Sequence, residues 1–254
     1  MITCRSAEEL VKLRAANHLV ARILDELRGL VVPGATTAAI DAEAERLVRE
    51  AGAQPAFKGY RGYPATICAS RNHEVVHGIP SGQALVEGDI LSIDMGVKLD
   101  GFYGDSAVTV GVGAISAETQ RLLEVTEASL YRGIDAVRPG ARVSDIGQAV
   151  QAYVEAQGFT VVREFVGHGI GTKLHEEPQI PNYGPPGRGP RLSEGMVLAI
   201  EPMVNAGRAA VRVLADGWTA VTADGLLSAH FEHTVAVTAD GAEILTLRPA
   251  MART

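Results

Sequence analysis

The sequence predicts an α+β fold in which helices pack on one face of a curved antiparallel sheet. Three observations predict it: a pair of amphipathic helical stretches in each half, strand-like segments separated by Asp-Gly turns, and a repeat of this order along the chain. The chain has 254 residues, of which 46% are hydrophobic, so it can bury a substantial core. We expect a single domain over residues 1–254, with internal halves at 6–113 and 116–247.

The helices of the first half have clear start and stop signals. Ser6-Ala-Glu-Glu9 forms a capping box, and apolar residues follow it at helical spacing as far as Gly29, which predicts a helix over residues 7–28. Pro33-Gly34 opens a second helical stretch that ends near Gly52. We therefore expect a helix pair before the first long strand.

The second half repeats the plan of the first. Ser116 starts a helix, and three positions of the second helix recur at an offset of 106 residues: Pro33 and Pro139, Ile40 and Ile146, Gly52 and Gly158. The strand segment 87–94 matches 194–201 at an offset of 107, and an acid closes each segment. Because helix, helix and strand match in order, the sequence predicts a duplicated unit with a pseudo-twofold axis. Such halves usually build their site where they meet.

Turn signals mark the strands that follow. Four Asp-Gly pairs stand between alternating segments, at Asp100-Gly101, Asp216-Gly217, Asp224-Gly225 and Asp240-Gly241. Such pairs are typical of tight antiparallel hairpins. The Pro/Gly-rich stretch 178–190 predicts a surface loop rather than a domain linker.

Composition excludes several classes of function. The formal charge is −7 without a dense Lys/Arg run, which argues against a nucleic-acid or membrane-surface partner. Residues 1–30 contain charges throughout and no continuous apolar stretch, so we expect a cytoplasmic protein. Cys4 and Cys68 lack CxxC spacing, so they predict neither a disulfide nor a thiolate zinc site. We expect a monomer.

Two aspartates are neighbours by strand geometry. Strand 90–98 alternates, which places Asp94 on the opposite face from its apolar neighbours. A two-residue turn at Asp100-Gly101 pairs Asp94 with Ala107, so Asp105 lies diagonal to Asp94 on the same side. Two close carboxylates repel each other unless one takes up a proton or a cation lies between them. A divalent metal fits, and two solvated turn residues are the alternative.

Two glutamates and a histidine extend this set. Glu201 closes an apolar run, and Glu232 lies between Phe231 and His233 at the start of another, where an unpaired acid is costly. His168 stands among glycines in Gly167-His-Gly-Ile-Gly171, where the spacing fits neither a dinucleotide nor a phosphate loop. Neutral imidazole is a common ligand beside carboxylates.

Other histidines divide into two groups. His77 in His77-Gly-Ile-Pro80 and His175 in His175-Glu-Glu-Pro178 occupy counterpart positions in the two halves. The remaining ones are interpreted as structural or solvent-exposed: His18, His73, His230 and His233.

Five blocks together carry a family resemblance: His77–Pro80, Ile93-Asp94 through Asp105, Gly167–Gln179, Ile200-Glu-Pro-Met203 and Phe231-Glu-His-Thr234. In order and spacing, over nearly the whole chain, they resemble the bacterial form of the type I methionine aminopeptidases. The resemblance implies the pita-bread fold, a single catalytic domain, and two divalent metal ions (Mn, Fe, Co or Zn). The implied ligands are Asp94, Asp105, His168, Glu201 and Glu232, with Asp105 and Glu232 bridging both metals.

The resemblance also implies roles for the surrounding residues. Glu201 would be the proton shuttle, and His77 and His175 would hydrogen-bond the substrate amide and the oxyanion. The implied methionine pocket consists of Phe57, Tyr60, Tyr63, Cys68, His77, His175 and Trp218, for which core packing is the alternative. Leu174 departs from the family pattern, which is commonly aromatic there, so we expect a different pocket wall.

The implied function is removal of the initiator methionine from nascent polypeptide N-termini through a metal-bridging hydroxide. Four carboxylates balance two divalent cations, which fits this chemistry. A nascent-chain substrate also makes the ribosome a plausible transient partner. Two alternatives remain: a prolidase or proline-specific aminopeptidase of the same fold, and a non-enzymatic homologue that binds peptides or ribosomes.

Overall fold

The computed structural model describes residues 1–247, which contain four α-helices in two pairs. Their bounds are α1 Ala7–Arg28, α2 Thr37–Glu50, α3 Ala117–Asp135 and α4 Val143–Ala156. The first helix has the predicted bounds, and Ser6 and Glu9 form the predicted capping box. Ser116 caps α3 in the same way, through its hydroxyl oxygen, which accepts from the backbone N–H of Thr119. The second helix begins after Thr36 rather than directly after Pro33-Gly34.

Most of the other regular secondary structure consists of short strands. The first half contains β1 Gln54–Pro55, β2 Ile67–Arg71, β3 Glu74–Val76, β4 Ile90–Leu99 and β5 Phe102–Gly111, with a 3₁₀ turn at Tyr60–Gly62. The second half contains β6 Thr160–Val161, β7 Gly167–Gly169, β8 Glu176–Ile180, β9 Val197–Ile200, β10 Met203–Asn205, β11 Val211–Val213, β12 Ala220–Thr222, β13 Ser228–His230, β14 His233–Thr238 and β15 Gly241–Ile244. All of the pairings between them are antiparallel.

The β4–β5 hairpin is the longest ladder in the described chain. Its turn is Asp100-Gly101, where both residues have positive φ, 49° and 86°. Asp94 pairs with Ala107 and Gly96 with Asp105, so the predicted register is confirmed. Odd-numbered residues of β4 pack into the core beneath α1 and α2, and its even-numbered residues face the opposite side. Both aspartates therefore lie on the face away from the helices.

The second half builds a comparable layer. A five-stranded sheet has the order β15-β14-β9-β7-β8, and smaller sheets join β13-β10-β6 and β11-β12-β3. Helices α3 and α4 pack their apolar residues, such as Leu130 and Val150, against Leu198 and Ile200 of β9. Each helix pair thus covers the strands of its own half, as the repeat predicts.

A seam beside the candidate ligands joins the two halves, which are also joined by the pairing of β3 with β12. We define the seam as the contacts between residues 105–109 of β5 and residues 230–234 of the β13–β14 segment. The N–H of Glu232 donates to the carbonyl of Ala107 at 2.9 Å, and the Ser106 hydroxyl donates to the carbonyl of Glu232 at 2.6 Å. The seam places a strand of the first half directly beside a segment of the second.

The stretch 178–190 is only partly a loop, which corrects the sequence prediction. Pro178–Ile180 belong to β8, and Asn182 is fully buried. The α4 residue Gly147 comes so close to Pro181 and Tyr183 that a side chain there would collide with their backbone. The exposed part of the stretch lies at residues 185–190.

Candidate metal centre and its cavity

The five predicted ligands come from separate elements and line one cavity of about 150 Å³. Asp94 and Asp105 project from the hairpin, His168 from β7, Glu201 from the residue after β9, and Glu232 from the link between β13 and β14. Pro202 follows Glu201 and separates β9 from β10, so the acid lies at a break in the strand. Side chains far apart in sequence thereby converge on one point.

Distances within the cluster are those of a potential metal site. Ligand atoms of Asp105, His168 and Glu232 all lie within 4.8 Å of one another. The His168 Nε2 atom is 3.9 Å from Oδ2 of Asp105 and 3.5 Å from Oε1 of Glu201. These side chains do not satisfy one another by hydrogen bonding, and they surround a common space.

The tautomer of His168 follows from its backbone contact. Its Nδ1 lies 2.9 Å from the carbonyl oxygen of Gly169, and a carbonyl can only accept. Nδ1 therefore carries the proton, and the lone pair of Nε2 points toward the carboxylates. Burial lowers the pKa of His168 to about 4, so the ring is neutral at physiological pH. Both properties are required of a metal-ligating imidazole.

The carboxylates of the cluster are poorly stabilised as anions without a cation. Burial raises the pKa of Asp94 to about 7. Burial, together with the charges of Glu232 and Asp94, raises the pKa of Asp105 well above its usual range. The pKa values of Glu201 and Glu232 are raised as well, first by burial and then by neighbouring acids of the cluster. Bound cations would reverse these shifts.

Three carboxylate oxygens provide a direct test of whether metals fit. Oδ1 of Asp94, Oδ1 of Asp105 and Oε1 of Glu232 are buried, and none has a hydrogen-bond partner within residues 1–247. Buried polar atoms are normally paired, and an exception needs an explanation. Hard divalent cations bind such oxygens together with imidazole nitrogen. The donor set therefore fits divalent metal ions.

Backbone contacts fix the ligands in place. The N–H of Asp105 donates to the Asn17 side-chain oxygen at 3.2 Å, and Gly104 lets α1 approach this closely because its Cα faces the Ala16 backbone. The Thr234 hydroxyl donates to the carbonyl of Asp105 at 2.7 Å. Asn182 donates to the carbonyl of Glu201 at 3.0 Å. Contacts from both halves thus hold the backbone of the ligands.

Aromatic residues and a thiol form the other wall. All seven residues of the predicted methionine pocket line the same cavity as the ligands: Phe57, Tyr60, Tyr63, Cys68, His77, His175 and Trp218. Tyr60 stacks on His175 with ring centres 5.3 Å apart, and Tyr63 meets Trp218 edge-on at 5.1 Å. Cys4 and Cys68 carry free thiols, and Cys68 is buried beside Asp94 in the sheet. The wall is apolar and close to the cluster.

His77 and His175 both line the cavity beside the cluster. His175 lies against His168 with ring centres 4.1 Å apart. His77 contacts Trp218 and Phe165 edge-on, and its backbone is in the left-handed region at φ 61°. A non-glycine residue uncommonly adopts this conformation. The Tyr63 hydroxyl lies 2.9 Å from the carbonyl of Gly78 and so anchors this turn.

Comparison with known proteins places the chain in a family. Residues 11–239 match metallopeptidase family M24. The methionine aminopeptidase 1 of Bacillus subtilis is 55% identical over 246 residues, which cover 97% of this chain and 99% of the relative. The chain belongs to metallopeptidase family M24. The resemblance to the methionine aminopeptidases is confirmed.

Solved structures of other proteins agree with this fold. The methionine aminopeptidase from Rickettsia prowazekii superposes with a TM-score of 0.96 at 44% identity, covering 97% of this chain and 100% of the other. The prolidase from Pyrococcus horikoshii OT3 has a TM-score of 0.79 at 20% identity and shares the fold, with this chain covering 63% of its length. The chain has the predicted pita-bread fold. Membership of a metallopeptidase family also implies use of a divalent metal.

A further histidine lies beside the candidate ligand cluster. His230, interpreted as structural or solvent-exposed, is buried, and its Nε2 lies 4.0 Å from Oε2 of Glu201. No motif drew attention to it, and the only signal was its place two residues before Glu232. Arg61 and Leu174 also line the cavity. Among residues 1–247, no helix is both long and apolar enough to cross a membrane.

Proposed function

We propose that this chain is a metal-dependent aminopeptidase that removes the N-terminal methionine from nascent proteins. One observation carries the proposal: a single cavity is lined on one side by the five candidate ligands and on the other by aromatic rings and a thiol. Hydrolytic groups and a pocket suited to an unbranched thioether side chain therefore lie next to each other.

The ligands suit two divalent ions. Asp94, Asp105, His168, Glu201 and Glu232 would hold them, since four carboxylates balance four positive charges. When bound, the metals supply a Lewis acid that acidifies water and polarises the scissile carbonyl. Oxygen and imidazole donors suit Mn, Fe, Co and Zn alike.

The chain's own residues would position the substrate and move protons. Glu201 is the carboxylate that accepts a proton from the attacking water and returns it to the leaving amine. His77 and His175 would hydrogen-bond the substrate amide and the developing oxyanion. Phe57, Tyr63 and Trp218 exclude water around the methionine side chain, and Leu174 forms part of the same wall.

We also propose a domain organisation, a location, partners and an oligomeric state for this chain. We propose one catalytic domain, because ligands of both halves meet across the seam. A cytoplasmic location and nascent N-termini as partners agree with the function, and the acidic charge of −7 agrees with the lack of a nucleic-acid or membrane partner. We propose a monomer, since the ligands and the pocket residues all belong to one chain.

Hydrolysis of small peptides tests the activity. The purified chain should release methionine from Met-Ala-Ser, lose this activity with a chelator, and regain it with a divalent metal. N-acetylated Met-Ala-Ser is the control, because an aminopeptidase needs a free amino group. Faster cleavage of an X-Pro peptide than of Met-Ala-Ser would show that the chain is a prolidase-type enzyme. If neither peptide is cleaved after a divalent metal has been added back, the result would favour a non-enzymatic binding protein.

A further inference from the structure

A buried histidine beside the cluster has an unpaired ring nitrogen. His230, at the end of β13, is 2% exposed, and its Nε2 has no hydrogen-bond partner in the part of the chain that the structure describes. That nitrogen lies 4.0 Å from Oε2 of Glu201. An unsatisfied buried polar atom costs free energy, so it calls for a partner that the functioning site provides.

The neighbouring His233 shows what a structural histidine looks like in this segment. Its Nδ1 lies 2.7 Å from the Thr246 hydroxyl and its Nε2 lies 3.3 Å from the Tyr131 hydroxyl. Both nitrogens therefore have partners within the protein. The open nitrogen of His230 has none and lies near Glu201.

The carboxylate of Glu201 lies between two imidazoles. Nε2 of His168 is 3.5 Å from Oε1, and Nε2 of His230 is 4.0 Å from Oε2. His168 has its proton on Nδ1, so its Nε2 cannot donate to Glu201. His230 is thus the imidazole that could supply a donor to this carboxylate.

Hydrogen bonds hold the backbone at Glu201 and His230, so the side-chain carboxylate of Glu201 is the group that can move. Asn182 holds the carbonyl of Glu201, and the Thr109 hydroxyl accepts from the N–H of His230 at 2.9 Å. The terminal torsion of a glutamate is broad, so a rotation of the carboxylate can bring Oε2 within hydrogen-bond distance of Nε2.

We propose that His230 is a positioning residue whose Nε2–H donates a hydrogen bond to Oε2 of Glu201 and orients that carboxylate for proton transfer. The inference rests on the proposed function, which gives Glu201 the role of proton shuttle. An outer partner of this kind is typically worth ~10–100-fold in activity or metal affinity.

Substitutions at two neighbouring histidines test the proposal by kinetics. His230→Leu should lower kcat on Met-Ala-Ser by at least ~10-fold with KM nearly unchanged. His230→Gln should recover most of kcat, because the amide nitrogen of Gln reaches the position of Nε2, whereas His230→Asn should not. His233→Gln is the control: it should lower the melting temperature and leave kcat intact. A raised KM with normal kcat, or equal rates for Leu and Gln, would overturn the proposal.

A second measurement separates this inference from the proposed function. In the metal-loaded, ¹⁵N-histidine-labelled protein, nitrogen chemical shifts of His230 should report a neutral ring with its proton on Nε2. A proton on Nδ1 would overturn the proposal even in an active enzyme. Failure of wild type to cleave Met-Ala-Ser would instead overturn the proposed function and leave this readout intact.

Discussion

At the residue scale, the chemistry of the cluster follows from burying acids that lack partners. Asp105 is 3% exposed and Glu232 is 2% exposed, yet each has an oxygen without a partner among the described residues. Such atoms raise the free energy of the folded chain unless a cation is bound. Metal binding should therefore depend strongly on each carboxylate.

The first prediction concerns Asp105. Asp105→Asn replaces a charged ligand with a neutral amide, so metal content should fall and kcat should drop by more than about 100-fold, beyond the loss typical of an outer partner. Metal analysis after dialysis and kinetics on Met-Ala-Ser measure both. Asp89→Asn is the control, since Asp89 is also buried but pairs with Arg71 away from the cavity. A variant with full metal content and rate would remove Asp105 from the ligand set.

The second prediction concerns the protons that metal binding displaces from the cluster. Because the pKa of Asp94 is raised to about 7 in the metal-free chain, part of this carboxyl is protonated at pH 6.5, and a metal must displace that proton. Metal affinity should therefore fall as pH decreases through 7. Calorimetry at pH 6.5 in two buffers of different ionisation enthalpy should show net proton release on metal binding. Identical binding heats at pH 6.5 in the two buffers would contradict the raised pKa.

At the element scale, the β4–β5 hairpin sets the separation of two ligands. Its turn uses Asp100 and Gly101 with positive φ, which matches the twist of the strands and fixes the register. A slip by one residue would send Asp94 into the apolar layer beneath the helices. The turn is thus a determinant of the site as well as of the fold.

Substitution at the turn provides the third prediction. Gly101→Ala puts a side chain at φ 86° and should lower the free energy of unfolding by ~1–2 kcal/mol, measured by denaturant titration. Asp100→Gly relieves the positive φ of Asp100 and should change it by less than ~0.5 kcal/mol. Equal effects of the two changes would show that the turn conformation is not what stabilises the hairpin.

The same elements show what sequence can and cannot predict. The capping box at Ser6 and the parity of Asp94 and Asp105 are local signals, so α1 and the hairpin are predicted correctly. The approach of His230 to Glu201 could not be predicted, because it follows from the pairing of His230 with Met203 between β13 and β10. No local pattern contains that distance, and the buried start of the 178–190 stretch likewise depends on the close packing of Gly147 in α4.

At the scale of the whole molecule, the seam joins two halves that each have their own core. Hydroxyl groups make several of its contacts: Ser106 to Glu232, Thr109 to His230 and Thr234 to Asp105. Because the acceptors are backbone carbonyls of ligands or their neighbours, the seam couples the docking of the halves to the shape of the cluster.

The fourth prediction tests this coupling. Thr234→Val keeps the shape of the side chain but leaves the buried carbonyl of Asp105 without its donor, so the free energy of unfolding should fall by ~1–3 kcal/mol. Metal affinity should fall with it, measured by calorimetry. Thr238→Val on the same strand removes a bond to Gly241 at the far hairpin and should leave metal affinity unchanged. Unchanged metal affinity in both variants would show that the seam contacts do not influence the cluster.

The position of Glu232 in the chain has a consequence for biosynthesis. Glu232 makes a backbone contact with Ala107 in the seam. This residue is also the last of the five candidate ligands along the sequence. During translation, Asp94 and Asp105 are made long before the segment that completes their site. A growing chain therefore holds an incomplete set of candidate ligands until residue 232 has been added, and we expect the full site to bind metal only after that point.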